Sequence, residues 1–311
     1  MPDATTIAHL SDLHLTPLKG FVPAHWNVKR TLGLINWHRG RKTVHRVEVV
    51  DALVADLQTR MPDHIAVTGD LCNIGLPGEY EVALAWLRSL GPSEAVSVVP
   101  GNHDIYTRLR GGSAGVELWR EYMRDDDFGA RYRRSSRATR GFPYVRRVGK
   151  VALVGVNSAV ETPPFVAAGE VGAEQRAALA EVLSALEGSG LARVVMIHHP
   201  PLPVQAPPRR GLADAPDMER VLATHGAELV VHGHNHRDTL VWCEGAAKRV
   251  PVLGIASGSA VRGHKGEPLG RYNLIRVRGS AGEGWRIEVT GRGLASPTSG
   301  IIDLDHQMLA V

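Results

Sequence analysis

Five times along these 311 residues a short apolar run gives way to a cluster of Asp, His or Asn, and this recurrence restricts the fold more than any other feature. Residues 5–10 lead into Asp12-Leu13-His14, and 64–68 into Gly69-Asp70. Residues 95–99 lead into Gly101-Asn102-His103-Asp104, 193–197 into His198-His199-Pro200, and 228–231 into His232-Gly233-His234-Asn235-His236. Runs this short, rich in β-branched residues, read as buried strands. Helical patterns separate them: Val44, Val47, Val50, Leu53, Val54 and Leu57 predict a helix over 43–60, closed by Pro62. Further helices are predicted over 78–90, 173–186 and 218–224. Alternating strands and helices predict an α/β fold, and open α/β sheets bind ligands beyond the carboxyl ends of their strands. All five polar clusters fall at such ends.

The rest of the chain is less regular. Residues 108–142 are Arg- and Gly-rich and read as loop, with a short helix about 117–123. Strands are predicted over 144–148 and 151–156, around a Gly149-Lys150 turn, and proline crowds a loop at 200–216. Strands over 239–243, 250–255, 272–277 and 285–289 fill the end. No repeat or linker divides the sequence, which predicts a single domain over 1–311. Hydrophobic residues make up 43% and charged residues 22%, enough to build a core without disulfides. Cys72 and Cys243 have no metal or redox spacing and read as reduced thiols of a cytoplasmic protein. No stretch approaches the roughly 18 apolar residues of a membrane span, and the polar start is unlike a secretory signal. Attachment at the inner membrane could then be peripheral only.

The spacing of the clusters suits metal binding. Side chains two apart on an extended segment point the same way, so Asp12 and His14 can reach one ion, as can His234 and His236. The Asp70 carboxylate has two oxygens and can bridge two cations. Oxygen and nitrogen donors without thiolate suit Mn, Fe or Zn. Two such ions about 3.5–4 Å apart clamp a phosphoryl oxygen and turn a bound water into hydroxide. An isolated Asp-x-His is ordinary surface polarity and a lone Gly-Asp an ordinary turn. Three histidines in His232-Gly233-His234-Asn235-His236 have little rationale as packing.

The five blocks, in this order, resemble the calcineurin-like metallophosphoesterase superfamily, whose pattern is D-x-H, GD, GNH(E/D), H, GHxH. The resemblance runs from Asp12 to His236, about three quarters of the chain. It implies a four-layer α/β/β/α sandwich with the site at the sheet edges. It implies one divalent metal ion on Asp12, His14, Asp70 and His236, and a second on Asp70, Asn102, His198 and His234, with Asp70 bridging. His103 resembles the phosphate-contacting histidine, a general acid for the leaving oxygen, and Asp104 would orient its ring. His198 is preferred to His199 as the ligand. His232 is expected to support its neighbours or to end a strand, and His9 to pack in the core. His25, His38, His45, His64, His225, His264 and His306 carry no motif and are expected to be structural or solvated.

The strings Gly-Asn-His-Asp and His-His-Pro look most like the class III cyclic-nucleotide phosphodiesterase branch. That implies a phosphodiester substrate such as a cyclic nucleotide or glycerophosphodiester. The sequence departs from the branch in placing 55 residues between His14 and Asp70, through an insertion at 18–45. From 18 to 47 there is no acid, while Lys19, Lys29, Arg30, Arg39, Arg41, Lys42 and Arg46 are basic and interleave with Phe21, Trp26 and Trp37. Such a segment suits an anionic membrane surface, as in the superfamily's hydrolases of UDP-diacylglucosamine, or packs as a cap. A second acid-free run spans 129–150, with Arg131, Arg133, Arg134, Arg137, Arg140, Arg146, Arg147 and Lys150. A nuclease is not expected, because four Phe and six Tyr supply no base-stacking platform. Nor is a non-catalytic scaffold, since no ligand position is missing.

Overall fold

The computed structural model describes residues 4–15, 18, 23–107, 114–132, 141–245, 248–263 and 266–311. Lys19, Phe21, Arg133, Arg134, Arg137, Arg140 and His264 lie outside these. Two six-stranded sheets form the body. The first runs β12-β11-β10-β1-β2-β3, comprising Ile301–Ala310, Gly284–Leu294, Arg271–Ser280, Ala4–Leu10, His64–Val67 and Val96–Val98. The second runs β4-β5-β6-β7-β9-β8, comprising Tyr144–Val148, Val151–Gly155, Ala192–Met196, Leu229–His232, Arg249–Gly254 and Thr239–Glu244. The strands that precede the five clusters are β1, β2, β3, β6 and β7. Within each sheet they are parallel neighbours, buried along most of their length, as a sheet covered on both faces requires.

The helices are α1 (Val28–Asn36), α2 (Lys42–Val44), α3 (Val47–Thr59), α4 (Pro77–Leu90), α5 (Ala173–Glu187) and α6 (Ala215–His225). Leu53 and Leu57 of α3 and Ala83 and Leu87 of α4 join one apolar cluster with Ile7, Val67, Met196 and Val231 of the two sheets. Leu179 and Leu183 of α5 and Met218 and Leu222 of α6 form another with Val195 and Val230. Those β6 and β7 residues alternate with the inward-facing Met196 and Val231, so α5 and α6 cover the outer face of the second sheet. The result is the expected four-layer sandwich.

The predicted helix over 43–60 is split. At His45 the backbone is extended, and its ring reaches Ser259 Oγ at 2.8 Å, which ends α2 and lets α3 start at Val47. The helix expected about 117–123 is a 3₁₀ helix, Gly115–Tyr122. A helix and a π turn in the insertion and the last strand had no sequence prediction. The insertion holds α1, capped by the Asn27 side chain on Arg30 N–H, and a π turn at Trp37–Arg41. β12 is an edge strand that leaves both apolar residues such as Ile302 and Met308 and polar ones such as Asp303 and His306 exposed, a pattern without a clear period.

Candidate metal centre

Register brings the clusters together. Leu10 pairs with Val67 and Val67 with Val98, so β1, β2 and β3 end in one row. Met196 pairs with Val231, which levels β6 and β7. Asp12, Asp70, Asn102, His198 and His234 come within a few residues of those ends.

The geometric reason given for the two-apart pairs needs correction. Asp12, His14, Asp70, His234 and His236 are not extended but sit at φ 54°, 44°, 55°, 68° and 52°. Left-handed backbone at non-glycine residues is strained and clusters at functional sites. It turns these side chains inward from tight loops. Those loops leave no room for a side chain at their glycines: a Cβ on Gly233 would collide with Ser11 Oγ and Asp12 Oδ2, and one on Gly101 with Asp70 Oδ1.

Two donor groups result. In one, Asp12 Oδ1 faces His236 Nε2 at 3.2 Å, and His14 Nε2 lies 4.0 Å from Asp70 Oδ2. In the other, Asn102 Oδ1 lies 2.9 Å from His234 Nδ1 and 3.2 Å from His198 Nε2, which is 3.5 Å from Asp70 Oδ2. Asp70 Oδ1 accepts the His103 N–H at 2.8 Å, so the single oxygen Oδ2 serves both groups. His14 and His198 each donate Nδ1–H to a carbonyl, of Cys72 at 3.0 Å and Thr68 at 2.6 Å, and Glu267 takes His236 Nδ1–H at 3.0 Å. His14 and His198 therefore each present an Nε2 lone pair inward, the usual way a ligand histidine is oriented, while His236 Nε2 carries a proton toward Asp12 that a metal ion would replace.

These residues fit a pair of cations. His234 Nε2 is buried without a hydrogen-bond partner. Lone pairs of Asn102, His198 and His234 converge on one another, which a proton or cation must relieve. Burial, then the charge of Asp12, pushes the Asp70 carboxyl up to about 8. Even with the His236 imidazolium and the Arg41 guanidinium nearby, burial beside Asp12 keeps a proton on Asp70, and a cation between the donor groups would take that proton's place.

The other sequence assignments divide. His199 can be grouped with His198 and His234, but its Nδ1 turns to Ser158 Oγ at 2.8 Å and no carboxylate joins that group. His232 bonds Gln205 and His9 bonds Thr68, both buried. The role given to Asp104 is corrected. Its carboxylate does not touch the His103 ring; it accepts backbone N–H groups of Asp70 and Cys72 at 2.8 and 2.9 Å and of Gly101 at 2.8 Å. Asp104 therefore ties the second and third loops together, and the Asn73 carbonyl orients His103 Nδ1. Burial, then Arg41, holds the His103 ring well below its usual pKa.

Three residues at the centre were not expected there. His45 packs on His14 and His236 with ring centroids 4.6 and 5.6 Å away. Glu267 orients His236, and Arg41 reaches His14 and His103 from the insertion. Each comes from a distant segment without a local motif. Lys29, Arg30 and Arg41 therefore turn inward rather than outward; Lys29 bonds Tyr106 and Thr162, and Arg30 bonds the Ile74 and Gly75 carbonyls. In the second basic run Arg146 is buried against carbonyls of Arg124 and Val96. Beside the centre lies a cavity of about 590 Å³, walled by Leu32 and Ile35 of α1 and by Pro164, Phe165 and Val166.

The family model described as calcineurin-like phosphoesterase matches residues 5–238. Among solved structures, a dimetal phosphatase from Danio rerio is similar with a TM-score of 0.62 at 14% identity, covering 98% of each chain. Purple acid phosphatase from yellow lupin (Lupinus luteus) seeds is similar at a TM-score of 0.55 and 12% identity, over 99% of this chain and 54% of that one. At such identities the likeness bears on fold alone. Among curated proteins none matches the sequence.

Proposed function

The chain belongs to the calcineurin-like phosphoesterase family of metal-dependent hydrolases, and on that premise we propose that it cleaves a phosphodiester, such as a cyclic nucleotide or glycerophosphodiester. The observation that carries the reading is the single Asp70 oxygen facing two complete donor groups. Asp12, His14 and His236 would hold one ion, Asn102, His198 and His234 the other, with Asp70 between. Mn, Fe or Zn in these positions would supply a hydroxide nucleophile and neutralise phosphoryl charge. His103, held on Nδ1 by Asn73, turns a bare Nε2 toward the centre; once an anionic phosphate beside it draws a proton onto that nitrogen, the ring would pass the proton to the leaving oxygen. Asp104 acts at one remove by fixing the loops that carry Asp70 and Asn102. The cavity has room for a group on each side of phosphorus, which supports a diester.

A panel with the Mn²⁺-loaded protein tests this: bis(p-nitrophenyl) phosphate, p-nitrophenyl phosphate, cyclic AMP, glycerophosphodiesters and UDP-diacylglucosamine. Diesters are expected to turn over fastest, and a clear preference for p-nitrophenyl phosphate overturns the diester reading.

A second reading, a cytoplasmic enzyme acting at the inner membrane on a lipid-linked pyrophosphate, is favoured by the apolar face of the insertion. Trp26, Val28 and Ile35 are exposed there, beside the exposed Arg39 and Lys42. No helix among the described residues is long and apolar enough to cross a membrane, so contact would be through this segment. Sedimentation with anionic liposomes at low salt is its expected signature.

A further inference from the structure

Arg41 sits where a metal-binding family alone does not require a side chain. It closes the π turn Trp37–Arg41, and π turns recur at functional sites because the extra residue re-aims the side chains beyond it. Arg39, two residues earlier, faces solvent, while the Arg41 guanidinium is directed into the centre. Its Nη2 lies 3.0 Å from His14 Nε2 and its Nη1 3.1 Å from His103 Nε2.

These contacts do not suit the working enzyme. His14 Nδ1–H is committed to the Cys72 carbonyl, so the lone pair that Arg41 meets on Nε2 is the one a metal ion needs. Once that lone pair is taken, one arm of the guanidinium has no acceptor. Among the described residues no carboxylate lies within ion-pair distance of Arg41, unlike Arg193 on Glu228 or Arg271 on Asp305. A partly buried guanidinium beside two dications is then uncompensated unless an anion arrives. The donors that now bracket His14 and His103 form a planar fork, the shape that matches two oxygens of one phosphoryl group.

We propose that Arg41 is a phosphoryl-binding residue, supplied to the centre by the inserted segment and gripping non-bridging oxygens between His14 and His103. The insertion then completes the anion site as well as covering it. Lys29 and Arg30 support this as anchors: their bonds to Thr162, Ile74 and Gly75 fix the base of α1, from which the π turn extends. The inference rests on the two-metal hydrolase reading but not on the ester class.

The test measures inorganic phosphate binding to Mn²⁺-loaded protein by calorimetry, with metal content by elemental analysis, for wild type, Arg41→Gln and Arg41→Lys. Both variants are expected to keep about two ions. Arg41→Gln should bind phosphate about ten- to a hundredfold more weakly, the worth of a charge-assisted bond, with Lys between. Phosphate affinity within about twofold of wild type in the Gln variant overturns the proposal. So does tighter metal binding with unchanged phosphate affinity, which would make Arg41 a plug that metals displace. If the Gln variant does not fold, the Lys variant decides, because it keeps the charge and loses the fork. Wild type that binds phosphate equally with metal or chelator would sink the hydrolase reading itself.

Discussion

The rim of the two sheets and the inserted segment face each other across one cavity, yet they are held by different means. On the rim, each donor follows a buried strand paired within its sheet, and carboxylates tie the loops to one another through backbone N–H, as Asp104 does with Asp70, Cys72 and Gly101. The insertion is tied by side chains rather than by a sheet for most of its length, through Arg30 to two carbonyls of the rim loop, Lys29 to Tyr106 and Thr162 and Asn27 to Thr107. Among the described residues its own backbone meets the backbone of the body again only at Val44 and His45. It exposes Trp26, Val28 and Ile35. The rim stores backbone strain, while the insertion carries little and can change without unravelling a sheet. On the proposed reading, the rim would hold the metals while the insertion would add Arg41 and line the path of the substrate.

Breaking the rim should have the largest effect. Asp70→Asn removes the one oxygen shared by both donor groups and should lose most of both metals, lowering kcat/KM on a diester about 10³-fold or more. Elemental analysis that finds wild-type metal content would sink the bridging assignment. His103→Gln should keep the metals and lower kcat on esters with poor leaving groups about 10²–10⁴-fold. Nitrophenyl esters, whose leaving group needs little protonation, should lose less; equal losses would make His103 a phosphate contact only.

Breaking the insertion should act on a smaller scale. Arg30→Met strands the Ile74 and Gly75 carbonyls and should cost about 2–3 kcal/mol of stability while leaving metal content alone. A melting curve with metal titration checks both halves.

The rim's electrostatics give a pH signature. Burial, then Asp12, pushes Asp70 up to about 8. Burial pulls His236 down, but Asp12 and Glu267 outweigh it and raise it to about 9. The unfolded chain releases these protons near pH 4 and 6.5. Above pH 7 the metal-free fold therefore binds more protons than the unfolded chain, and its stability falls as pH rises toward 9. The slope is at most about 1.4 kcal/mol per group for each pH unit. His14, held well below its usual range by burial and then Arg41, is neutral in both states across this window. Lys29, lowered to about 8 by burial, acts in the opposite direction but does so with or without metal. Melting temperatures at pH 7 and 9 should diverge between chelated and metal-loaded protein. Parallel curves would show that metals do not replace those protons.

The same contrast explains what the sequence disclosed. The seven candidate ligand positions that the fold brings together were legible because each lies within a few residues of the strand before it, so local pattern sufficed. The means were not: Asp12 and His14 were expected to align on extended backbone, whereas both are left-handed. Asp104 was assigned to the His103 ring next to it, but its partners are backbone groups two loops wide. Arg41, His45 and Glu267 reach the centre only through tertiary packing, and no spacing in the chain encodes where a π turn aims an arginine. β12 escaped notice because an edge strand needs no alternating apolar face.

The smallest expected effect lies at the cavity mouth. Phe165 is 81% exposed and held at φ 64°, a conformation that favours glycine over an aromatic. It gains little from burial, so the fold has no evident use for it there. It does face α1 across the cavity, where Leu32 and Ile35 form the opposite apolar wall. Phe165→Gly would relieve the strain and loosen the unfolded chain by similar amounts, leaving stability within about 0.5 kcal/mol of wild type. If the wall selects the leaving group, hydrolysis of a naphthyl diester should weaken a few-fold through KM, since one aromatic contact is worth about 1 kcal/mol. A dimethyl-sized diester, too small to span the cavity, should be unaffected. Equal changes in KM for the two esters would break the contrast between rim and insertion, because the mouth would then act on the centre rather than on the substrate.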